Sequence, residues 1–341
     1  MKAIVYRNYG SPDVLRLEDV EKPAPRDDEV LVRVRAASVN PLDWHVMRGE
    51  PRFMRLLAGL RKPKDIRLGV DLAGEVEAVG SGVTRFRPGD AVFGSSDGAF
   101  AEHVCARPNH LALKPEKLTF EQAAAVNVAG LTALQGLRDK GRLQPGQRVL
   151  INGAAGGVGT FAVQIARTFG AHVTGVCSTR NVDMVRSIGA DRIVDYTRED
   201  FTGGGERYDL IFDCIGNHSL SAFRRVLSPR GIYLMIGAGS GRWIDPFPRA
   251  IRALLLSPFV SQELSMFIAK RKSEDLEILG RLIEEGQVKP VIDRRYRLSE
   301  VPEAIRYLET MRARGKVIII VDPDERGRRA GMGREGAGVS T

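Results

Sequence analysis

Residues 148–180 read RVLINGAAGGVGTFAVQIARTFGAHVTGVCSTR, and the architecture of the chain follows from them. Val149, Leu150 and Ile151 form a short apolar run ending at Asn152-Gly153, the pattern of a buried strand. Gly153, Gly156, Gly157 and Gly159 follow. Val163, Ile165, Ala166 and Phe169 then recur at helical spacing until Gly170 stops the helix, and a second apolar run covers His172 to Cys177. Strand, glycine turn, helix and strand within about thirty residues make one βαβ unit. A pyrophosphate approaches a backbone only where no side chain blocks it, and the free N–H groups of the helix N-terminus then meet the anion. The strict G-x-G-x-x-G spacing is not met: Ala154 stands at its first position, with Gly156 and Gly159 at the other two. Ala155, Gly156, Gly157 and Val158 are the candidate cofactor contacts of this turn.

The end of the second strand distinguishes the two nicotinamide dinucleotides. An acid there bonds the ribose 2′-hydroxyl of NAD, whereas an NADP site accommodates the 2′-phosphate with Arg. Here the strand ends Ser178-Thr179-Arg180, and the first acid, Asp183, falls inside the next helix. Two hydroxyls and a guanidinium suit a phosphate. The same hydroxyls also suit the cap of the following helix. The pattern favours NADPH over NADH, with Ser178 and Arg180 carrying the preference.

Outside this unit the chain is ordinary in composition. Its 341 residues suit two domains, and 43% hydrophobic with 27% charged residues describes a globular protein rather than a disordered one. No basic-then-apolar leader is read at Met1. The apolar stretch Ala253 to Ile268 is interrupted by Pro258, Gln262 and Glu263, so no bilayer span is expected. Cys105, Cys177 and Cys214 form no C-x-x-C pair, which points to a reducing cytoplasm and away from disulfides or a structural zinc. Before residue 125 the β-prone runs are Met1 to Tyr6, Val30 to Val39, Gly74 to Val79, Ala91 to Gly94 and Phe100 to Ala106, followed by a helical segment, Phe120 to Val126. After Arg180 the βα alternation continues. Helices are expected at Val182 to Ile188 and Leu220 to Leu227, and strands at Arg192 to Asp195, Asp209 to Cys214 and Ile232 to Ile236. Such alternation implies a parallel sheet covered on both faces. Leu276 to Ile283 and Val301 to Met311 look helical, and Lys316 to Val321 is a last strand.

Several motifs carry a family resemblance: Val39-Asn40-Pro41-Leu42-Asp43, Gly69-Val70-Asp71-Leu72-Ala73-Gly74, Arg87-Pro88-Gly89-Asp90, Ala129-Gly130-Leu131-Thr132-Ala133, and Asn152 to Gly159. With them the chain resembles the medium-chain dehydrogenase/reductase superfamily from Met1 to about Val321, in its zinc-free quinone oxidoreductase and enoyl reductase branch. The resemblance implies an α/β fold: a Rossmann-type doubly wound parallel sheet plus a chaperonin-10-like (GroES-like), partly open β-barrel. The implied division is 1–125 for the GroES-like catalytic part, 126–270 for the NADP-binding domain, 271–322 for a return to the catalytic domain, and 323–341 for a Gly- and Arg-rich tail expected to be disordered. It also implies a homodimer, paired edge to edge through the strand Ile232 to Ile236.

The superfamily's alcohol dehydrogenases carry a catalytic zinc, which takes thiolate and imidazole ligands. At the three corresponding positions this chain has Asn40, Val70 and Val128, which cannot make that site, and no metal is expected. Without a Lewis acid an unactivated carbonyl is a poor hydride acceptor. Quinones and α,β-unsaturated carbonyls remain, because conjugation stabilises the anion formed. The candidate catalytic residues are Asn40, Asp43 and Thr132. The resemblance places Asn40 and Asp43 in the substrate cleft, with Thr132 also touching the cofactor. Asn40 either donates an amide N–H to the substrate oxygen or closes the turn before Pro41. Further cofactor contacts are expected from Tyr196, from Cys214, Gly216, Ile236 and Gly237 at later strand ends, and from Lys316. Relatives often place a proton-donating Tyr after the Asn-Pro-x-Asp motif, but no Tyr occurs here between Tyr9 and Tyr196. The proton then comes from water, from His45, or without help from the enzyme, and His45 reads more readily as a structural histidine than as the acid.

Charge adds one clue. The chain carries +9 overall, and residues 48–67 are strongly basic. That stretch either draws an anionic substrate such as an acyl-CoA thioester or is a solvated basic face. An NADPH-binding protein without catalysis, or one that binds RNA, is the alternative of another class. The 6% aromatic content and the lack of basic–aromatic interleaving argue against nucleic acid.

Overall fold

The computed structural model describes residues 1–52, 55–56, 59–236 and 261–321. The chain begins with β1 (Lys2–Val5), β2 (Arg16–Asp19) and β3 (Val30–Val39), followed by α1 (Pro41–Arg48). β4 (Asp71–Val79), β5 (Ala91–Ser95), β6 (His103–Ala106) and β7 (Leu111–Leu113) complete the first part. Two helices, α2 (Phe120–Ala124) and α3 (Asn127–Gln135), lead into β8 (Arg148–Asn152), α4 (Gly157–Thr168) and β9 (His172–Cys177). Next come α5 (Val182–Ser187), β10 (Arg192–Asp195), β11 (Tyr208–Asp213), α6 (Leu220–Val226), β12 (Leu227–Ile236) and β13 (Glu263–Phe267). The described chain ends with α7 (Ser273–Glu284), β14 (Ile292–Arg297), α8 (Val301–Glu309) and β15 (Lys316–Ile320).

These strands form two main sheets. The six-stranded sheet runs β10-β9-β8-β11-β12-β13, parallel throughout. That order is the doubly wound one, with its switch point between β8 and β11, where such sheets bind ligands at the strands' carboxyl ends. The seven-stranded sheet runs β14-β15-β3-β4-β5-β7, with β6 also on β3. It takes strands from both ends of the chain: β15 pairs antiparallel with β3, Val317 opposite Val39. The buried α2–α3 segment joins the two sheets. One core cluster contains Ala36, Ala73 and Phe93 from one sheet, Val149 and Ile151 from the other, and Ala123 to Val126 between them.

Ile232 to Ile236 is not the sheet edge that the homodimer expectation requires. β12 is flanked by β11 on one side and β13 on the other, Tyr233 opposite Leu264. Among the described residues the outer strand is β13. The expected tail 323–341 lies outside the described residues, as does the first half, 253–260, of Ala253 to Ile268. No described helix is long and apolar enough to cross a membrane, and all three cysteines are free.

Candidate active site

The nucleotide end of the site is built from backbone. Gly153 turns the chain after β8 at φ +87, and a Cβ there would lie 2.8 Å from Ile215 Cδ1. A Cβ on Gly159 would overlap Gly153 O. The protein's own packing therefore demands these two glycines. Gly156 is different. As the N-cap of α4 its backbone is ordinary, φ −80 and ψ 174, and a Cβ would meet only Gly153 O, at 3.5 Å. Among the described residues nothing requires glycine there; what a side chain would fill is the space before the helix N-terminus, whose first N–H groups have no intrahelical acceptor. Gly157 and Val158 begin that helix, and Ala155 O accepts from Gly315 N at 2.9 Å. The cradle fits a dinucleotide pyrophosphate.

The ribose corner is assembled from two strand ends. Asp195 pairs with Cys177, and Tyr196 N donates to Cys177 O at 3.1 Å, so Ser178 and Tyr196 leave adjacent strands side by side. Tyr196 is 58% exposed. Neither Ser178 nor Thr179 caps α5, whose N-cap position is Asn181. Ser178 Oγ accepts from Asn181 Nδ2 at 3.2 Å, and Thr179 Oγ1 donates to Asp195 Oδ2 at 2.6 Å. Arg180 is exposed and donates from Nη2 to Arg312 O at 2.7 Å. The acid at this corner is Asp195, which a search along β9 misses because β10 supplies it. The Thr179 hydroxyl holds its carboxyl below the ordinary range. A cavity of about 430 Å³ opens alongside, lined by Tyr196, Arg198, Asn217 and His218 among others.

The floor of this end is Asp213, fully buried. It accepts from Asn152 Nδ2 at 2.8 Å, Tyr233 Oη at 2.7 Å, Ile215 N at 3.1 Å and Gly216 N at 2.9 Å. One carboxylate thus ties together the carboxyl ends of β8, β11 and β12 and shapes the loop carrying Gly216, at φ +74. Cys214 N donates to Asn152 O at 3.0 Å, and burial pushes the Cys214 thiol well up, out of nucleophile range. Ile236 is buried at the end of β12. Gly237 lies outside the described residues.

The substrate end is built from side chains. Asn40 precedes α1, Pro41 opens it, and Asp43 Oδ2 accepts from Asn40 N at 2.7 Å. Asn40 and Asp43 form the capping box of α1, and the Asn40 side chain also reaches away from the turn. Its amide donates to Asp71 Oδ2 at 3.0 Å and to Ser38 O at 3.3 Å, and its Oδ1 accepts from Lys316 Nζ at 2.5 Å. With both amide hydrogens committed and the residue 2% exposed, Asn40 is not placed to donate to a substrate oxygen. Lys316, expected as a cofactor contact, also turns this way. Its backbone meets the nucleotide turn through Gly315, but its ammonium is buried 3.2 Å from Asp71 Oδ2. Asp71 further accepts from Ser38 Oγ at 2.8 Å, Asn127 Nδ2 at 2.8 Å and Val128 N at 3.1 Å. Thr132 donates its hydroxyl to Val128 O at 2.6 Å, one turn earlier in α3.

Asp43 is buried, and its Oδ1 has no hydrogen-bond partner among the described residues. Burial pushes its carboxyl up to about 8. His45 lies with Nδ1 3.1 Å from Glu50 O and its ring stacked on Trp44 at 4.4 Å, and burial holds its pKa below the ordinary value. Part of the basic stretch is engaged internally: Arg48 pairs with Glu309 at 2.6 Å, and Arg55 bonds Gly49 O at 3.0 Å and lies over the Tyr9 ring. Asn40 and Val128 bond to Asp71 and Val70 precedes it in the chain, without a thiolate or imidazole among them. No three His, Cys, Asp or Glu side chains come together to hold a metal among the described residues. That donor set does not fit zinc.

Residues 26–116 match the alcohol dehydrogenase GroES-like domain family, and residues 188–319 match the zinc-binding dehydrogenase family. A chloroplast envelope quinone oxidoreductase homolog from Arabidopsis thaliana is 33% identical over 334 residues, covering 94% of this chain and 98% of its own. An NADPH-dependent alkenal/one oxidoreductase, chloroplastic, from the same plant is 32% identical over 338 residues, covering 95% and 80%. The solved quinone oxidoreductase of Coxiella burnetii superposes with a TM-score of 0.84 at 31% identity, over 94% of this chain and 99% of its own.

Proposed function

Because the chain belongs to the medium-chain dehydrogenase/reductase superfamily, in its zinc-free quinone oxidoreductase branch, we propose that it is an NADPH-dependent reductase of quinones and α,β-unsaturated carbonyls. The observation that carries this is the pairing of an open, glycine-walled helix N-terminus at Gly156 with a substrate end whose donor set does not fit zinc. Bound at that turn, NADPH supplies a hydride. Ala155 to Val158 hold the pyrophosphate, Ser178, Arg180 and Tyr196 hold the 2′-phosphate, and the Asp213 network keeps the Cys214–Gly216 loop in shape beneath it. Conjugated acceptors tolerate the absence of a Lewis acid because the negative charge they gain is delocalised. Asp43 and Thr132 remain the candidates beside the reacting atoms, and Asn40 acts from behind them. The catalytic domain comprises residues 1–125 and 271–322, around a nucleotide domain of residues 126–270.

The test is loss of reduced-nicotinamide absorbance with menadione and with a 2-alkenal, with and without a chelator. Turnover of both acceptors with NADPH, unchanged by the chelator, is expected. Binding of NADPH without turnover of either acceptor, or abolition by the chelator, would refute the reading. A homodimer is proposed through β13, the outer strand among the described residues, because an open edge otherwise invites uncontrolled pairing. The proposed compartment is the cytoplasm, on three free cysteines; both Arabidopsis relatives carry chloroplast names, and cell fractionation decides between the two.

A further inference from the structure

We propose that the Lys316 ammonium takes the place of the metal charge at the substrate end, as a positioning residue that steadies the anion formed when an enone accepts hydride. This rests on the reductase reading above. Of the three positions where related dehydrogenases hold zinc, Asn40 and Val128 bond to Asp71 and Val70 precedes it in the chain; the cation at Asp71 is Lys316. Its Nζ lies 2.5 Å from Asn40 Oδ1 and 3.2 Å from Asp71 Oδ2, with the side chain only 3% exposed.

Asp71 does not need this cation to be satisfied. Ser38 Oγ, Asn40 Nδ2, Asn127 Nδ2 and Val128 N already donate to it, and a carboxylate has about four lone-pair sites. Burying an ammonium costs several kcal/mol of desolvation, on the order of what the pairing returns. The ammonium also has a third N–H, and among the described residues only Asn40 Oδ1 and Asp71 Oδ2 accept from it. Its position ties it to the cofactor side as well. A Cβ on Gly157 would lie 3.1 Å from Lys316 Cδ, so the lysine stem passes directly under the first residue of α4. Lys316 therefore links the nucleotide turn to the substrate end.

The step it serves balances simply. A C–H bond forms at the β-carbon of the enone and the π electrons shift to give an enolate, with the charge on oxygen; a proton from water then adds at the α-carbon. A fixed positive charge near the oxygen lowers the energy of that enolate, and the locked Asn40 amide keeps the charge in place. A quinone is more electron-deficient and gains less from the same charge.

The experiment compares the wild-type chain with Asp71→Asn/Lys316→Met, which removes both charges together, and with Lys316→Arg. NADPH affinity is read by nucleotide fluorescence. At NADPH concentrations that saturate each variant, kcat for a 2-alkenal is expected to fall about tenfold or more in the double variant and kcat for menadione less than about threefold. Lys316→Arg, which keeps the charge, should retain alkenal kcat within about threefold. If the double variant does not fold, Lys316→Gln, which leaves Asp71 on neutral donors alone, carries the same readout. Equal loss for both acceptors, or full alkenal turnover without the charge, would overturn the proposal. Wild-type turnover tests the reductase reading by itself, so the two can fail separately.

Discussion

Asp71 and Asp213 are both fully buried, one in each sheet, and they are satisfied in different ways. Among the described residues Asp213 accepts only from neutral groups: an amide, a phenol and two backbone N–H groups. Asp71 accepts from a hydroxyl, two side-chain amides, a backbone N–H and an ammonium. Asp213 shows that neutral donors suffice to bury a carboxylate in this molecule. The cation at Asp71 is thus an addition with its own cost. The nucleotide end, where the ligand brings its own charges, holds its loops with neutral dipoles; the substrate end, which must meet a charge that only appears during reaction, contains a fixed one.

The largest test of that contrast is stability. Asp71→Asn strands a buried ammonium and should cost about 3–5 kcal/mol, whereas Asp213→Asn loses neutral hydrogen bonds and should cost about 1–3 kcal/mol. Denaturant titration of both variants checks this, and adding Lys316→Met to Asp71→Asn should recover most of its loss. Equal costs would erase the distinction between the two sites.

Next in size is cofactor choice. Arg180→Ala should weaken NADPH by about 1.5–3 kcal/mol, one to two orders of magnitude, and leave NADH nearly untouched. Equal losses would mean that the Arg180–Arg312 bond supports the fold rather than the 2′-phosphate.

Asp43 extends the comparison to a buried carboxyl whose Oδ2 accepts from Asn40 N. Its folded pKa of about 8 lies above the unfolded value, so the native state holds its proton more tightly. Its contribution is full at low pH and is lost as pH rises from about 4 to 8, with a slope of about 1.4 kcal/mol per pH unit. Asp43→Asn should flatten that slope in thermal melts taken across the range; an unchanged slope would show that another group titrates. The smallest effect belongs to Gly156→Ala. Stability should move by less than about 0.5 kcal/mol, since no protein atom is displaced, while NADPH affinity falls clearly. A large loss of stability would show that the glycine serves the fold.

The nucleotide unit was legible in the sequence because each of its parts has a local cause. The apolar runs set β8 and β9, Gly153 and Gly159 meet backbone demands within the unit, and α4 shows its period. β10 was also readable to the residue, as Arg192–Asp195. α1 carries local signals of its own: Asn40, Pro41 and Asp43 form a helix start, and Gly49 at φ +60 a helix stop. α3 is buried nearly all round, so it shows no one-sided stripe. β13 was obscured because it lies within an apolar stretch interrupted by Gln262, Glu263 and Ser265. The direction of the Lys316 side chain was beyond reach for another reason. In Lys316-Val317-Ile318-Ile319-Ile320 successive side chains alternate faces, and only contact with Asn40, 276 residues away in sequence, decides which face meets what.

That separation bears on how the chain is made. The ribosome delivers β3 early, and β15, its antiparallel partner, only after the whole nucleotide sheet has emerged. Until then β6 covers only Val30–Arg33 on that edge of β3, and Ala36–Val39, which β15 will pair, is a bare end of the kind to which chaperones and neighbouring nascent chains bind. The parallel sheet has every strand it needs by Phe267 and can form beforehand. Gly315 then docks on Ala155 as the last strand arrives, so the substrate end is the final part of the molecule to assemble. A chain cut short before Lys316 would keep the complete nucleotide sheet and never close the pocket beside it.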